Sequence, residues 1–496
     1  MPRQIVVVMT DTQRYDMLGC AGPAGIRTEH LDRLAGEAVR FERAYTCQGV
    51  CQPARAAMFT GTWPHENGGW TNSQALGDNV KTLGQRFRDH GFHCAHVGKW
   101  HLDGGDYFGL GRCPDGWDDR YWYDMRRYLE ELSPRERLDS RRTEYIRERP
   151  VTPEFTYAHR CSRRAREFLA RHAREDFLLV VSYDEPHGPC LCPPEFLDRY
   201  ENFHWPASPA HDDTLADKPE HQRIWAGEAL DDTGWRERNH GTAAYFACNE
   251  FVDAEIGSVL EAVDRHAPGA LVVYTSDHGD ALGEHRLIGK GPCVYDGVVR
   301  IPLIVRWPGV TQIGRVAASP VSHIDLAPTL FDFAGLPQPA AFSGRSLRPA
   351  CADPAVRVNE TVFIEFGRFE VDHDGFGGFQ PMRAAFDGRW KLAVNLLSGD
   401  ELYDLDTDPH ECVNRIADPL AADDRGRLHD RMLDWMNATR DPFRGHCWER
   451  RPWRTDARPA TWPYTGMTRQ RENEEYEPRQ LDYNTGLPMT QATRQK

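Results

Sequence analysis

Short apolar runs alternate with segments of helical periodicity through the first two thirds of the chain. Apolar runs bounded by polar or turn residues are typical of strands buried on both faces of a mainly parallel sheet. The clearest predicted strands are Ile5–Met9, Phe177–Ser182, Ala270–Thr275 and Pro302–Val305. Apolar residues recur at helical spacing in Val80–His90, Tyr157–His172, Thr242–Arg265 and Asp325–Phe333. The alternation predicts an α/β fold with a mainly parallel central sheet flanked by helices.

Four stretches depart from this alternation. Arg126–Arg149 is densely charged and Asn202–Asn239 lacks periodicity, so we expect both to run over the surface. After about residue 355, short β-like pieces and a helix near Arg425–Asn437 predict a smaller C-terminal α+β subdomain. The tail from Asp441, rich in Arg, Trp and Pro, is expected to wrap the body or a neighbouring subunit, or to be partly disordered. We therefore divide the chain into an α/β domain (1–350), an α+β subdomain (351–440) and a C-terminal extension (441–496).

Charge and apolar content restrict the partners. The formal net charge is −15, whereas nucleic-acid binding needs a basic face, so we expect no nucleic-acid partner. No stretch approaches the roughly 18 apolar residues of a membrane-spanning helix, and the N-terminal residues predict a strand and not a secretory signal. We expect a cytoplasmic protein with no membrane partner. In so acidic a chain, an anionic ligand would need a local cationic pocket.

One of the thirteen cysteines begins a distinctive motif. Cys51 opens the sequence Cys-Gln-Pro-Ala-Arg, which continues as a short helical run to Gly61. Pro53 suits the first turn of a helix, so the free backbone N–H groups would point toward Cys51 and toward any anion bound there. Arg55 would add a fixed positive charge. A buried cysteine before a surface helix would give the same pattern, so the motif alone leaves both interpretations open.

Carboxylates and a histidine follow two of the predicted strands. Asp11 stands at the end of the first strand, and Asp277 and His278 follow the strand Ala270–Thr275. Side chains at the carboxyl ends of parallel strands lie at the crevice where open α/β sheets bind ligands. Each residue alone would also suit a helix cap or a turn.

Further cationic and imidazole side chains fall at comparable positions. Lys99 and His101 lie in one short motif, His187 follows another strand, and Lys290 stands between two glycines. A single lysine or histidine is usually solvated or structural. Because several such motifs coincide at strand ends, they predict one site with a cationic pocket.

The order of these motifs resembles the formylglycine-dependent sulfatases of the alkaline phosphatase superfamily, from about residue 5 to about residue 440. Leu402–Leu405, Asp408, Pro409 and Asn414 are also similar to the C-terminal subdomain of that family. The resemblance implies an alkaline phosphatase-like fold and a sulfuric ester hydrolase that releases sulfate. It does not extend over the tail from Asp441.

The resemblance also implies a role for each site residue. A formylglycine-generating enzyme would oxidise Cys51 to formylglycine, whose hydrate offers two hydroxyls: one attacks sulfur and the other later expels sulfate. One divalent metal ion would be held by Asp11, Asp277, His278 and the modified Cys51. Arg55 and Lys99 would bind the hydrate and the anion. His101 would be the base that collapses the hemiacetal sulfate, and His187 and Lys290 would contact the sulfate and the leaving-group oxygen.

Two departures from the family pattern leave details open. Thr12 stands where many sulfatases carry a second aspartate, and either Thr12 or Gln13 could supply the missing oxygen. Hard oxygen ligands favour calcium, with magnesium as an alternative, and His278 also admits manganese. The pair Asp277-His278 is shared with iduronate-type sulfatases and with phosphonate monoester hydrolases, so the leaving-group chemistry stays open.

Three functional hypotheses follow. The first is hydrolysis of a small anionic sulfate ester, expected to be a sulfated carbohydrate, with the Trp-rich tail and four further residues as substrate contacts: His65, Trp70, Asn72 and His240. The second is a phosphonate or phosphate ester hydrolase with the same nucleophile. The third is an unmodified, non-catalytic binding protein. The tail also suggests contacts within a homo-oligomer.

Overall fold

The structure, a computed structural model, describes residues 2–72, 74–104, 107–227, 242–370, 378–457, 481 and 485–487. The strands of the N-terminal two thirds are β1 (Gln4–Asp11), β2 (Val39–Phe41), β3 (Ala44–Tyr45), β4 (His93–Gly98), β5 (Phe177–Pro186), β6 (Leu271–Ser276), β7 (Arg300–Ile301), β8 (Leu303–Arg306), β9 (Arg315–Ala317) and β10 (Val321–Ser322). Those of the C-terminal part are β11 (Val362–Arg368), β12 (Phe379–Phe386), β13 (Trp390–Asn395) and β14 (Glu401–Asp404).

The described α-helices are α1 (Glu29–Gly36), α2 (Cys51–Thr60), α3 (Pro64–Asn67), α4 (Leu83–Asp89), α5 (Met125–Glu130), α6 (Pro134–Asp139), α7 (Tyr145–Glu148), α8 (Tyr157–His172), α9 (Pro194–Tyr200), α10 (Glu220–Ala226), α11 (Ala243–His266), α12 (Asp296–Val299), α13 (Leu326–Phe333), α14 (Arg348–Ala352), α15 (Ala422–Ala438) and α16 (His446–Glu449). Short 3-10 helices lie at Pro153–Phe155, Pro209–Asp212, Glu284–Arg286, His323–Asp325 and Pro419–Ala421.

A seven-stranded sheet with the order β4-β5-β1-β6-β8-β2-β9 forms the centre of the molecule. The neighbouring strands β4, β5, β1 and β6 are all parallel. β8 is antiparallel to both β6 and β2. The predicted α/β fold with a mainly parallel sheet is therefore confirmed. The apolar run that became β8 did not reveal this reversal, because a buried run does not encode strand direction.

Both faces of the central sheet are buried, and the alternation of side chains along β1 shows how. Val6 and Val8 join a core cluster with α1, α8 and α11. Ile5, Val7 and Met9 point to the other face and join a second cluster with residues of α2, α4 and α13. Since each fully buried Val, Ile or Met side chain contributes about 1.5–3 kcal/mol, β1 is anchored on both sides. Its carboxyl end is thus a rigid platform for Asp11.

Local capping decides where the predicted helices begin. α8 spans Tyr157–His172 as predicted, and the Thr156 hydroxyl accepts a hydrogen bond from the backbone N–H of His159 (3.2 Å). The helix predicted over Val80–His90 begins only at Leu83, because Thr82 and Gln85 form a capping box. The long helix predicted over Thr242–Arg265 is observed as α11.

The charged stretch Arg126–Arg149 was expected to run over the surface, but part of it packs into the core. It contains most of α5 and all of α6 and α7, and Tyr128 and Ile146 insert into the core. These apolar residues are too widely spaced to produce a visible period among so many charges. The stretch Asn202–Asn239 includes α10, and its residues from 228 onward lie outside the described part of the chain.

The smaller C-terminal part is an antiparallel sheet, β11-β12-β13-β14, with α15 on one face. Its other face packs on the large domain through Met382, Ala384 and Phe386. The first residues of the tail also pack here: Asp441 forms an ion pair with Arg383 (2.6 Å), and the Trp448 side chain is fully buried. Where the subdomain and the tail begin, at 351 and 441, stays a prediction.

The helices and the cysteines relate to the expectations about membranes and disulfides. No helix in the described residues is long and apolar enough to cross a membrane. All thirteen cysteines lie in the described residues, and each is a free thiol.

A buried carboxyl in β5 should make stability depend on pH. Glu185 accepts a hydrogen bond from the backbone N–H of Ala158 (2.9 Å) at one oxygen, and burial and the charge of Asp184 raise its pKa from 4.5 to about 8. The folded state therefore binds this proton more tightly than the unfolded state, so its contribution to stability is lost as the pH rises from about 4.5 to about 8. We expect Glu185→Gln to raise the free energy of unfolding near pH 8.5 by on the order of 1 kcal/mol or more, and to change it little near pH 5.

Urea unfolding at both pH values measures this difference. Glu195→Gln, an exposed carboxyl at the start of α9, is the matched control and should change neither value. Equal stabilisation by Glu185→Gln at both pH values would contradict the assignment.

Candidate active site

Cys51 is the first residue of α2 and lies where four neighbouring parallel strands end. Asp11 is the last residue of β1, and Asp277 directly follows β6. Lys99 directly follows β4, and His187 directly follows β5. The sheet order β4-β5-β1-β6 therefore brings together motifs that are far apart in the sequence.

Three side chains surround the sulfur of Cys51. The Sγ atom lies 2.7 Å from Lys290 Nζ, 3.1 Å from His278 Nε2 and 3.6 Å from Asp11 Oδ1. Cys51 is 1% exposed. Burial and the charge of Asp11 raise the pKa of its thiol to about 12, so the thiol stays protonated near neutral pH. The unmodified side chain is therefore a weak nucleophile.

Asp11, Cys51, Asp277 and His278 form a fully buried group that could hold a metal ion, with ligand atoms all within 4.8 Å of one another. Burial and Asp11 raise the pKa of Asp277 to about 7. Burial alone would also raise the pKa of Asp11, but Lys99 and Lys290 outweigh it and hold that pKa well below its usual range. Two adjacent buried carboxylates with an imidazole fit a divalent cation, because the ion would neutralise charges that burial otherwise opposes.

Arg55 connects the two carboxylates from α2. Its Nη2 is 3.0 Å from Asp11 Oδ2, and its Nε is 2.9 Å from Asp277 Oδ2. Nη1 donates to the backbone carbonyl of Lys99 and to the hydroxyl of Ser182, both at 2.8 Å. With its guanidinium fully buried, Arg55 fixes the relative positions of the strands β1, β4, β5 and β6 at the site.

Lys99 extends the positive charge toward β5. Its Nζ lies 2.7 Å from Asp11 Oδ2 and 3.0 Å from Asp184 Oδ1. The preceding Gly98 has φ +114°, and a Cβ there would lie 1.8 Å from the carbonyl oxygen of Ser182. Only glycine allows β4 to end so close to β5, and this turn delivers Lys99 into the site.

Two of the three predicted site histidines, His101 and His187, are neutral near pH 7, and His101 is buried whereas His187 is half-buried. His101 has a left-handed backbone (φ 62°), and burial followed by the charge of Lys99 holds its pKa well below its usual range. Its Nδ1 has no hydrogen-bond partner among the described residues. Burial and Lys290 lower the pKa of His187 to about 4. Both imidazoles can therefore accept protons at neutral pH.

Sequence reasoning missed Tyr107, which the structure places among the predicted residues. Its hydroxyl donates to Asp184 Oδ1 (2.5 Å) and lies 3.0 Å from His187 Nδ1. Lys99 Nζ lies 3.9 Å above the centre of its ring. The Tyr107 side chain thus connects three groups of the site. It stands beyond the end of the Lys99 motif, so no spacing signal pointed to it.

The two candidates for the missing oxygen ligand differ in position. The Thr12 hydroxyl donates to Asp11 Oδ1 (2.7 Å), beside the carboxylate cluster. The Gln13 side chain instead bonds Asn249 (2.5 Å) and accepts a hydrogen bond from Tyr274. Thr12 is therefore the better placed of the two residues.

The four residues predicted to contact the substrate have different surroundings. His65 is 1% exposed, and its ring nitrogens bond Glu365 and Thr439, so it connects α3 to the C-terminal part and is not available to a substrate. The Asn72 side chain accepts a hydrogen bond from the backbone N–H of Gln52 (3.0 Å) in the first turn of α2. Trp70 is half-buried. His240 lies outside the described residues.

Comparison with known proteins agrees with this fold. The model of the sulfatase family matches residues 3–336, and the model of the N-sulphoglucosamine sulphohydrolase C-terminal family matches residues 283–438. An uncharacterized sulfatase, YidJ, of Escherichia coli (strain K12) is 45% identical, and the alignment covers 97% of this chain and 96% of the relative. A Delta 4,5-hexuronate-2-O-sulfatase of Bacteroides thetaiotaomicron is 26% identical over 88% of this chain and 90% of the relative.

Among solved structures, a phosphonate monoester hydrolase from Silicibacter pomeroyi superposes with a TM-score of 0.74 at 23% identity, covering 88% of this chain and 96% of that one. That likeness concerns the fold alone. The chain belongs to the sulfatase family. It is a sulfuric ester hydrolase, as the resemblance of its motifs implied.

Proposed function

We propose that this sulfatase releases sulfate from sulfated carbohydrates, with Cys51 converted to formylglycine as its nucleophile. The observation that carries the proposal is the environment of Cys51 Sγ, which has a lysine at 2.7 Å, an imidazole at 3.1 Å and a carboxylate at 3.6 Å. The sulfur marks the place of one oxygen of the formylglycine hydrate. A buried protonated thiol would make little use of these groups, whereas a hydrate hydroxyl needs them for activation.

Asp11, Asp277, His278 and the modified Cys51 are the proposed ligands of one divalent metal, for which calcium is preferred and magnesium or manganese are alternatives. When bound, such an ion supplies positive charge that lowers the pKa of the attacking hydroxyl and neutralises the sulfuryl oxygens. The two carboxylates support a hard cation, and the position of Thr12 beside Asp11 supports it as the additional oxygen donor.

The protein's own residues account for both halves of the reaction. One hydrate hydroxyl attacks sulfur, and the bond between sulfur and the leaving-group oxygen breaks. In this proposal Lys290 and His187 stabilise charge on that oxygen, and Arg55 and Lys99 balance the carboxylates around the hydrate. His101 then takes the proton of the second hydroxyl, so the aldehyde forms as sulfate leaves.

The relative named a Delta 4,5-hexuronate-2-O-sulfatase supports a carbohydrate as the leaving group. Half-buried Trp70 can present an aromatic face to a sugar ring. The modification requires a formylglycine-generating enzyme as a partner. The thirteen free thiols support a reducing, cytoplasmic location.

Side-by-side kinetics test the reaction class. A panel of sulfated mono- and disaccharides, an aryl sulfate and a phosphonate monoester should show the highest kcat/KM for a sulfated sugar. A preference for the phosphonate by orders of magnitude would replace this proposal with phosphonate hydrolysis. Mass spectrometry of the tryptic peptide that contains Cys51 should show aldehyde, and only thiol in a competent host would remove the nucleophile.

Tyr107 should matter for rate more than for binding. We expect Tyr107→Phe to lower kcat by about 10- to 100-fold, because His187 and Asp184 lose the hydroxyl that holds them, while KM changes less. Steady-state kinetics across pH measure both. Tyr121→Phe, which removes a hydroxyl bonded to His172 in a separate part of the molecule, is the matched control. Equal effects of the two substitutions would contradict a role for Tyr107 in the site.

A further inference from the structure

A second group of metal-ligand side chains lies at the opposite edge of the central sheet. His93 is the first residue of β4, His172 is the last residue of α8, and Glu175 lies two residues before β5. Glu175 Oε2 is 3.0 Å from His93 Nδ1, and Glu175 Oε1 is 2.9 Å from His172 Nδ1. β4 spans six residues between this edge and Lys99, which places the group roughly 20 Å from Cys51.

In both histidines the ring nitrogen that faces away from Glu175 has a polar partner, as is typical of metal-binding histidines. His93 Nε2 lies 2.7 Å from Asp118 Oδ2, and His172 Nε2 lies 2.9 Å from the hydroxyl of Tyr121. With an ion bound, each Nε2–H would donate to its partner, and the Nδ1 atoms, which now bond Glu175, would be free to bind the ion. A carboxylate or other acceptor on the far nitrogen fixes the tautomer and raises the basicity of a metal-bound imidazole.

The spacing of the three donor atoms suits a small ion. They all lie within 4.8 Å of one another. Ligands of tetrahedral zinc at about 2.0–2.1 Å are separated by about 3.3 Å, so shifts of a few tenths of an ångström at the two measured contacts would admit the ion. The His93, His172 and Glu175 side chains are 24%, 14% and 49% exposed, which leaves one side open to a water ligand.

The charges also favour a cation. Among the described residues, neither Glu175 nor Asp118 forms an ion pair with lysine or arginine. Both carboxylates instead face histidines, whose ring protons a metal ion can displace. The third group of this kind, His65 with Glu365 and Asp441, differs because Arg383 already provides its cation.

We propose that His93, His172 and Glu175 form a binding site for a zinc-type divalent ion, with Asp118 and Tyr121 orienting the imidazoles. Two histidines and one carboxylate suit zinc, nickel or copper better than calcium or magnesium. The ion connects the end of α8 to the starts of β4 and β5, so its role is to stabilise this edge of the sheet. It is independent of the proposed reaction at Cys51.

Zinc binding to the full-length protein, in buffer with excess calcium, tests the site through competition with a chromogenic chelator. The wild type is expected to bind one zinc ion more than His172→Ala and Glu175→Gln, or to bind that ion at least about 100-fold more tightly. His90→Ala removes an exposed histidine at the end of α4 and is the matched control. Glu175→Gln keeps the shape of the side chain, so the test does not depend on the folding of His172→Ala.

Zinc should also raise the Tm of the wild type and of His90→Ala, but not that of the two site variants. An anomalous diffraction peak at the zinc edge between His93 and His172 would support the site directly. Equal zinc stoichiometry and affinity in all four proteins, or a zinc peak only beside Cys51, would overturn the proposal. The rate of sulfate ester hydrolysis should be the same in wild type and Glu175→Gln.

Discussion

Replacing Cys51 with alanine is expected to abolish turnover of sulfate esters while the protein still folds. The substitution removes the thiol that the proposed oxidation replaces with the attacking oxygen, and loss of a covalent nucleophile lowers kcat by about 10⁴-fold or more. Alanine fits the first turn of α2. The charge of Lys290 stays compensated in the variant, because Lys290 Nζ lies 3.9 Å from Asp11 Oδ1. Initial rates with a sulfated sugar and an aryl sulfate, together with circular dichroism, measure the two effects. Full activity in the folded variant would refute the assignment.

Cys51→Ser separates a simple nucleophile from a hydrate. Serine has one hydroxyl, so it can accept a sulfuryl group but has no second hydroxyl with which to expel sulfate. We expect one leaving group to be released per chain, followed by a stable sulfated protein that mass spectrometry detects. Continuous turnover by this variant would contradict the hydrate mechanism.

Replacing His101 with asparagine is expected to block the second half of the reaction and spare the first. His101 is buried with its pKa held well below its usual range, so its ring is neutral near pH 7 and has a lone pair that can accept the proton of the second hydroxyl. Loss of a general base lowers the rate of its step by about 10²- to 10⁴-fold. A rapid burst of leaving group should therefore precede a much slower steady state.

Lys290→Ala provides the contrast for that experiment. Lys290 Nζ is 2.7 Å from Cys51 Sγ, so its loss should slow the attack itself and reduce the burst rate. Stopped-flow measurement of the leaving group distinguishes the two patterns. A full burst in Lys290→Ala together with no burst in His101→Asn would reverse the assigned roles.

The sequence predicted most of the site because its residues are tied to strand ends. Asp11, Lys99, His187 and Asp277 each follow or end an apolar run, and parallel strands bring such ends to one edge. The layered α/β fold was predictable for the same reason, since strands buried on both faces appear as continuous apolar runs.

The features that the sequence did not predict depend on contacts between distant segments. The path of the chain after Lys99 brings Tyr107 to the site, and no local periodicity in the sequence predicts that path. His65 looked like a polar substrate contact, but Glu365, 300 positions away, buries it in a structural network. The reversed direction of β8 depends on how the chain returns to the sheet. Each of these facts follows from packing and not from residue type.

The burial of Cys51 limits when a modifying enzyme could reach this residue. All ten residues of α2 are buried, and Cys51 is covered on every side by strand ends and charged groups. A modifying enzyme must bind the peptide around the cysteine, and the folded molecule does not offer that peptide. The proposed oxidation of Cys51 would therefore occur on the nascent or unfolded chain, in competition with folding. A chain that folds first would keep its thiol and be permanently inactive, so the active fraction would be set during synthesis.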